Sequence, residues 1–240
     1  MQLYSIILLI IIFMLLVFMI YLNKMQKKTQ LKQIFTIDII LILLQCICTF
    51  IQSLLIPLNN TDLLFKIEYI TYIANVFFPI SLYMTGLIFA NTKVKFKRYH
   101  LLLFVIPIIT LIMLWTNNYH HLLYEEYSIN LNETKFGPYA DIHRIYTYTL
   151  LFIGIYYLIK YSIKNAGFFS KQSILLIIGS LFPIIINILG TYSIVKMSIY
   201  LTPISFAVTI FFYAIAIFKF KFLSVTPIAM QRVVDRMSDC

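Results

Sequence analysis

Apolar residues in this chain come in long runs, separated by short clusters of lysine, arginine and other polar residues. Seven such runs occur: Leu3–Leu22, Ile34–Ile56, Ile67–Ala90, Leu101–Trp115, Ile142–Ile159, Ser173–Val195 and Ile199–Phe218. A helix needs about 20 largely apolar residues to cross a hydrocarbon core of about 30 Å. The fourth run is the shortest, and it can continue through Asn117 into the interface. None of the runs alternates polar with apolar as the strands of a membrane barrel do. The pattern predicts an all-α integral membrane protein with seven transmembrane helices.

The flanks of the runs give the orientation. The first run has no basic segment before it and no small-residue cleavage site, and Lys24, Lys27 and Lys28 follow it. A secretory signal has the opposite polarity, so the run reads as a retained first helix. Fifteen of the 19 Lys and Arg residues fall in loops 23–33, 91–100 and 160–172 or in the tail from Lys219 onward. The other side holds only Lys66, Lys135, Arg144 and Lys196. Cytoplasmic loops collect basic residues. The expected orientation is therefore N-terminus outside and C-terminus cytoplasmic. The longest outer segment, Asn117–Asp141, carries Gly137-Pro138 as a turn signal.

Composition narrows the class. The chain is 61% apolar and 12% charged, with a mean hydropathy of +0.90. Soluble domains sit nearer 45–50% apolar and about 25% charged. Soluble, fibrous and disordered classes are excluded. The net charge of +10 belongs to the cytoplasmic loops, and no nucleic-acid partner is implied. Three cysteines are too few for a disulfide scaffold, and Cys46 and Cys48, two apart on one helix, point to nearly opposite faces.

Ionisable residues are scarce within the runs. Asp38 and Glu68 stand near helix ends, within expected reach of the interface, and Gln45, Gln52, Asn75 and Asn187 are the uncharged polar candidates. Intramembrane polar side chains either bond neighbouring helices or serve a site. Pro79, Pro107, Pro183 and Pro203 each fall in an apolar run, where four kinks would splay a bundle. His121, Glu125 and His143 can be drawn as a ligand set, but their spacing matches no metal motif. No metal or cofactor is implied. Nucleophile elbows, phosphate-binding glycine loops and paired catalytic carboxylates are absent, as is a retinal-type lysine in the last run. The acidic-Arg-aromatic and Asn-Pro-x-x-Tyr motifs of G-protein-coupled receptors are missing too.

The order of the remaining motifs is more specific. Pro107 through Trp115, Asn117 and His120 to Leu122 resembles the most recognisable segment of the seven-helix N-terminal sensor region of bacterial histidine kinases, which also precedes diguanylate cyclases. Phe136-Gly137-Pro138, the Gly179–Asn187 segment around Pro183, and Thr202-Pro203-Ile-Ser-Phe206 fit the same pattern. The exit, from Phe222-Leu223 through Pro227-Ile-Ala229 to Met237-Ser-Asp239, is similar to the family's junction with its cytoplasmic module. The resemblance implies a multi-pass sensor in a bacterial cytoplasmic membrane, part of a two-component system. Residues 1–222 would be the sensor and 223–240 a signalling-helix stub. No phospho-accepting histidine box or ATP-binding box follows the seventh run, so the expectation is a receptor unit without catalysis of its own.

Two readings follow. The favoured one is a receptor whose pocket opens outward beneath residues 117–141. Its expected lining is Trp115, Asn117, His120, Tyr139 and His143, with Asn187 below. The ligand would be an extracellular small molecule or peptide, or a membrane-borne one. Pro203, Pro227, Val233 and Met237 would pass the signal. Thr226-Pro227 starts an amphipathic helix too short to stand alone, which predicts pairing in a homodimer. The alternative is a small transporter or channel, but the chain shows neither an internal repeat nor buried coupling charges.

Overall fold

The computed structural model describes residues 3–25, 29–58, 60–91, 94–128, 132–164, 168–192, 194–196 and 198–223. Pro227, Val233 and Met237 lie outside the described residues. The helices are α1 (Leu3–Lys24), α2 (Gln30–Leu55), α3 (Thr61–Asn91), α4 (Val105–Trp115), α5 (Asn117–His120), α6 (Pro138–Lys164), α7 (Phe168–Thr191) and α8 (Leu201–Phe218). Between α5 and α6, strands β1 (Tyr124–Glu126) and β2 (Lys135–Phe136) pair antiparallel in a small hairpin. Seven helical segments among the described residues are long and apolar enough to cross a membrane.

The packing is a ring: α1 lies against α2, α2 against α3, α3 against α6, α6 against α7, α7 against α8, and α8 returns to α1. The fourth span stands outside the ring, against α3 and α6. Alternating spans put the 23–33, 91–100 and 160–172 loops at one end, the basic end. The hairpin stands at the other. At the basic end the Gln30 amide clips two loops together: its Nε2 donates to the Val94 carbonyl at 3.1 Å, and its Oε1 accepts from Val94 N at 3.0 Å.

The fourth span departs from the sequence expectation. It extends backward rather than through Asn117, because Arg98–Phe104 forms a seven-residue 3₁₀ stretch ahead of α4. The narrower, more tightly wound 3₁₀ helix rises about 2.0 Å per residue against 1.5 Å in an α-helix, so the two segments together cover about 30 Å. A short apolar run thus spans by being stretched. The prolines divide in two. Pro79 and Pro183 are interior to α3 and α7, whereas Pro107 and Pro203 sit third in α4 and α8. A first-turn amide lacks an intrahelical acceptor, so Pro203 breaks no bond. Pro107 follows the 3₁₀ stretch, and the Leu103 carbonyl four residues before it accepts from the Tyr146 hydroxyl instead.

Asp38 also departs from expectation. Rather than reaching the interface, it is fully buried, and Thr85 Oγ1 donates to its Oδ2 at 2.7 Å. Around and below it the basic half of the bundle is filled with rings. Phe35 lies 5.0 Å from Tyr213 and 5.5 Å from Phe222, and Phe89 lies 4.6 Å from Tyr161 and 5.3 Å from Phe222. After α8 the chain turns at Lys221 (φ 47°) and tucks Phe222 into this cluster, with no exposed surface. Such interiors leave little free space. The half nearer the hairpin is different.

Candidate functional site

A cavity of about 340 Å³ occupies the hairpin half of the ring. This is the lower part of the range for small-molecule sites, about 300–1,000 Å³. Its walls come from α2 (Gln45), α3 (Glu68, Tyr72, Asn75), α6 (His143, Thr147, Tyr148), α7 (Pro183, Asn187) and α8 (Thr202, Phe206). Tyr124, Asn132, Thr134 and Phe136 of the hairpin segment complete it. Polar side chains are few in this sequence, and the cavity gathers many of them.

The walls are tied by hydrogen bonds. Tyr148 OH donates to Asn187 Oδ1 at 2.8 Å and lies 3.0 Å from Thr191 Oγ1, which joins α6 to α7. His143 is wedged between helices: its ring lies 5.9 Å from that of Tyr72, and its Nδ1 is 3.4 Å from Thr110 Oγ1. The Gln52 amide donates to Glu68 Oε2 at 3.0 Å. Tyr124 OH donates to Tyr72 OH at 3.1 Å and stands 3.5 Å from Glu68 Oε1. Burial of Tyr124 pushes its phenol well above the ordinary tyrosine range, so this hydroxyl keeps its proton. Arg144 borders the cavity but is engaged: Nη1 donates to Asp141 at 2.8 Å, and the guanidinium lies 4.2 Å from the Phe136 ring centroid. The Thr147 hydroxyl is buried without a partner.

The residues singled out in the sequence fall into two groups. His143 and Asn187 line the cavity. Trp115, Asn117, His120 and Tyr139 are not in its lining. Trp115 is half-exposed on the outside of the bundle, as an interfacial tryptophan would be. Asn117 is buried and builds the hairpin's base, its Oδ1 accepting from Leu123 N (3.1 Å) and Tyr124 N (3.0 Å) while Nδ2 donates to the Tyr124 carbonyl (2.9 Å). His120 bonds Thr116 Oγ1 and accepts from Leu122 N through Nδ1, closing the turn in which His121 takes φ 53°. Tyr139 fastens α6 to α4 through Thr110, at 3.1 Å. Pro203 is buried between Thr202 and Phe206, both in the wall.

Sequence reasoning passed over Tyr124 and noted Glu68 only as a carboxylate within reach of the interface, whereas both line the cavity. The signal for Glu68 was present: no Lys or Arg stands three or four positions away on its helix, so a carboxylate inside an apolar run had no local partner. No comparable signal marks Tyr124, whose role depends on how the hairpin folds back.

No curated protein and no solved structure matches the chain. The model of one family, described as the N-terminal 7TM region of histidine kinase, matches residues 5–227. Seven membrane-capable helices among the described residues and a match over nearly the whole chain agree, and the protein belongs to the family of N-terminal seven-transmembrane sensor regions of histidine kinases.

Proposed function

We propose that the protein is a ligand-operated sensor whose ligand occupies the cavity beneath the hairpin, with the hairpin end outside the cell and the basic end in the cytoplasm. One observation carries this reading: Thr202 and Phe206 of α8 stand in the cavity wall, and α8 is the helix that leads to the family's output junction. An occupant pushes on α8 directly. The movement runs down one side of that helix, through Phe206, Ile210, Tyr213 and Ile217, which belong to the buried core that also holds Phe222. Output then passes to the segment bearing Pro227, Val233 and Met237, paired in a homodimer. Helix shifts of 1–2 Å are the ordinary scale of such a change.

The test uses Asn187→Cys in a chain whose native cysteines are serine, reconstituted with known orientation in liposomes. A membrane-impermeant thiol reagent is expected to modify it from the hairpin side only, with no flux of small solutes through the protein. Modification from both sides together with solute uptake would mark a transporter and overturn the reading. No modification from the hairpin side would overturn it as well.

A further inference from the structure

Glu68 lines the cavity from α3. Carboxylates at membrane depth are costly unless paired, and they mark functional sites. Neither ion pair among the described residues includes Glu68: one joins Lys135 to Glu126, the other Arg144 to Asp141. Its closest donor, the Gln52 amide, is neutral and serves Oε2. Among the described residues the other oxygen, Oε1, meets only the Tyr124 hydroxyl, at 3.5 Å. That hydroxyl has one proton and a nearer acceptor in Tyr72, at 3.1 Å. Oε1 is thus an acceptor with spare capacity in the cavity wall; among the described residues no Lys or Arg pairs with it, and Arg144 of the same lining is held by Asp141.

The surroundings suit a charged nitrogen. Tyr72 and Tyr124 are edge-to-face, with ring centroids 6.2 Å apart, and both share the wall with Glu68. Aromatic faces attract ammonium groups most where water is excluded. An ammonium brings three donors, enough for Oε1 and further partners in the wall. Asn75 and the unpartnered Thr147 hydroxyl lie in the same wall, where the body of a bound molecule would run.

We infer that the Glu68 corner of the cavity binds the protonated amino group of a small organic amine. This deepens the sensor reading and rests on it, because it takes the cavity to be the ligand site.

The test compares two probes that differ in one group: tyramine, which carries an ammonium, and tyrosol, which carries a hydroxyl in its place. The whole chain in lipid nanodiscs is titrated with each, and thermal stabilisation is read. Tyramine is expected to bind at least about tenfold more tightly than tyrosol, since a desolvated charge pair is at stake. Glu68→Gln is expected to remove that preference, so that tyramine and tyrosol bind the variant equally. Equal binding of the two probes by the wild-type chain would overturn the inference, and that comparison needs no variant. So would an undiminished preference in Glu68→Gln, or no response to tyramine at millimolar concentration. If tyramine fails while Asn187→Cys is still modified from the hairpin side alone, the amine is wrong and the cavity reading stands. If the preference holds but Asn187→Cys reacts from both sides with solute uptake, the amine site stands and the sensor reading falls.

Discussion

A methyl group placed on Gly86 would lie 2.3 Å from the carbonyl oxygen of Gly154, so α3 and α6 meet there backbone to backbone. The reverse contact is also tight: a Cβ on Gly154 would stand 3.0 Å from the Tyr83 Cα. Close approach through small residues is how membrane helices gain packing without a hydrophobic drive. The crossing lies toward the basic end of α3 from the cavity, whose α3 and α6 walls are formed by residues 68–78 and 140–151. Gly86→Ala forces the helices apart and is expected to cost about 1–3 kcal/mol, as overpacking does. Thermal unfolding in nanodiscs checks it, with Gly86→Leu predicted to be worse. An unchanged Tm for both would mean that the two helices do not touch at this point.

Asn117 serves the hairpin rather than the ligand. Asn117→Ala leaves two backbone amides and a carbonyl without their partners, in a buried position where each orphan costs about 1–3 kcal/mol. Hydrogen exchange at residues 122–126 is expected to accelerate strongly, with little change in α7 or α8. Unaltered exchange there would remove Asn117 as the hairpin's support. Any loss of ligand response in this variant would then be indirect.

Asp38 holds a carboxyl group in the packed half with no ion-pair partner among the described residues, and its Oδ1 accepts no hydrogen bond. Asp38→Asn keeps an acceptor for Thr85 and removes the burden of a buried charge. The variant is expected to be at least as stable as the wild type at neutral pH, whereas Asp38→Ala, which strands the Thr85 hydroxyl, is expected to lower the Tm. Melting curves of the two variants distinguish these outcomes. Greater loss in Asn than in Ala would contradict the assignment.

Phe222 anchors the exit from α8. Truncating a buried phenylalanine costs about 3–5 kcal/mol when the site cannot collapse, and here the loss falls on a segment just past a helix end. Phe222→Ala is expected to expose residues 219–223 to protease in nanodiscs, while the hairpin keeps its protection. A cleavage pattern identical to wild type would show that the tuck is not holding the exit.

The seven spans were legible because each apolar run had to satisfy its own backbone inside lipid, which leaves a helix as the only choice. Their ends were less so. The fourth begins in a 3₁₀ stretch at Arg98–Phe104 that no apolar count foresees, since those residues include Arg98, Tyr99 and His100. In the site, Asn187 was singled out as a polar residue within an apolar run and His143 as a neighbour of the long outer segment, and both line the cavity. Asn117 and His120 drew attention through the motif after the fourth run and the outer segment it opens, yet they spend their polar atoms on a turn. Sequence shows that a polar atom is buried but not what satisfies it. Gly86 and Gly154 gave no sign, because their meaning lies in a contact between distant helices.

In the proposed sensor, whatever fills the cavity moves α8. Spin labels at Tyr99→Cys and Lys219→Cys, both exposed at the basic end, report the position of the end of α8 by electron–electron distance measurement. Asn187→Trp fills the cavity in place of a ligand. Asn187→Ala removes the same hydrogen bond without filling it, and Phe182→Trp puts equal bulk on the outer face of α7. The account predicts a shift of about 1–2 Å or more in the distance distribution for Asn187→Trp alone, the scale of helix movements in known switches. A folded Asn187→Trp protein with the wild-type distribution would contradict it.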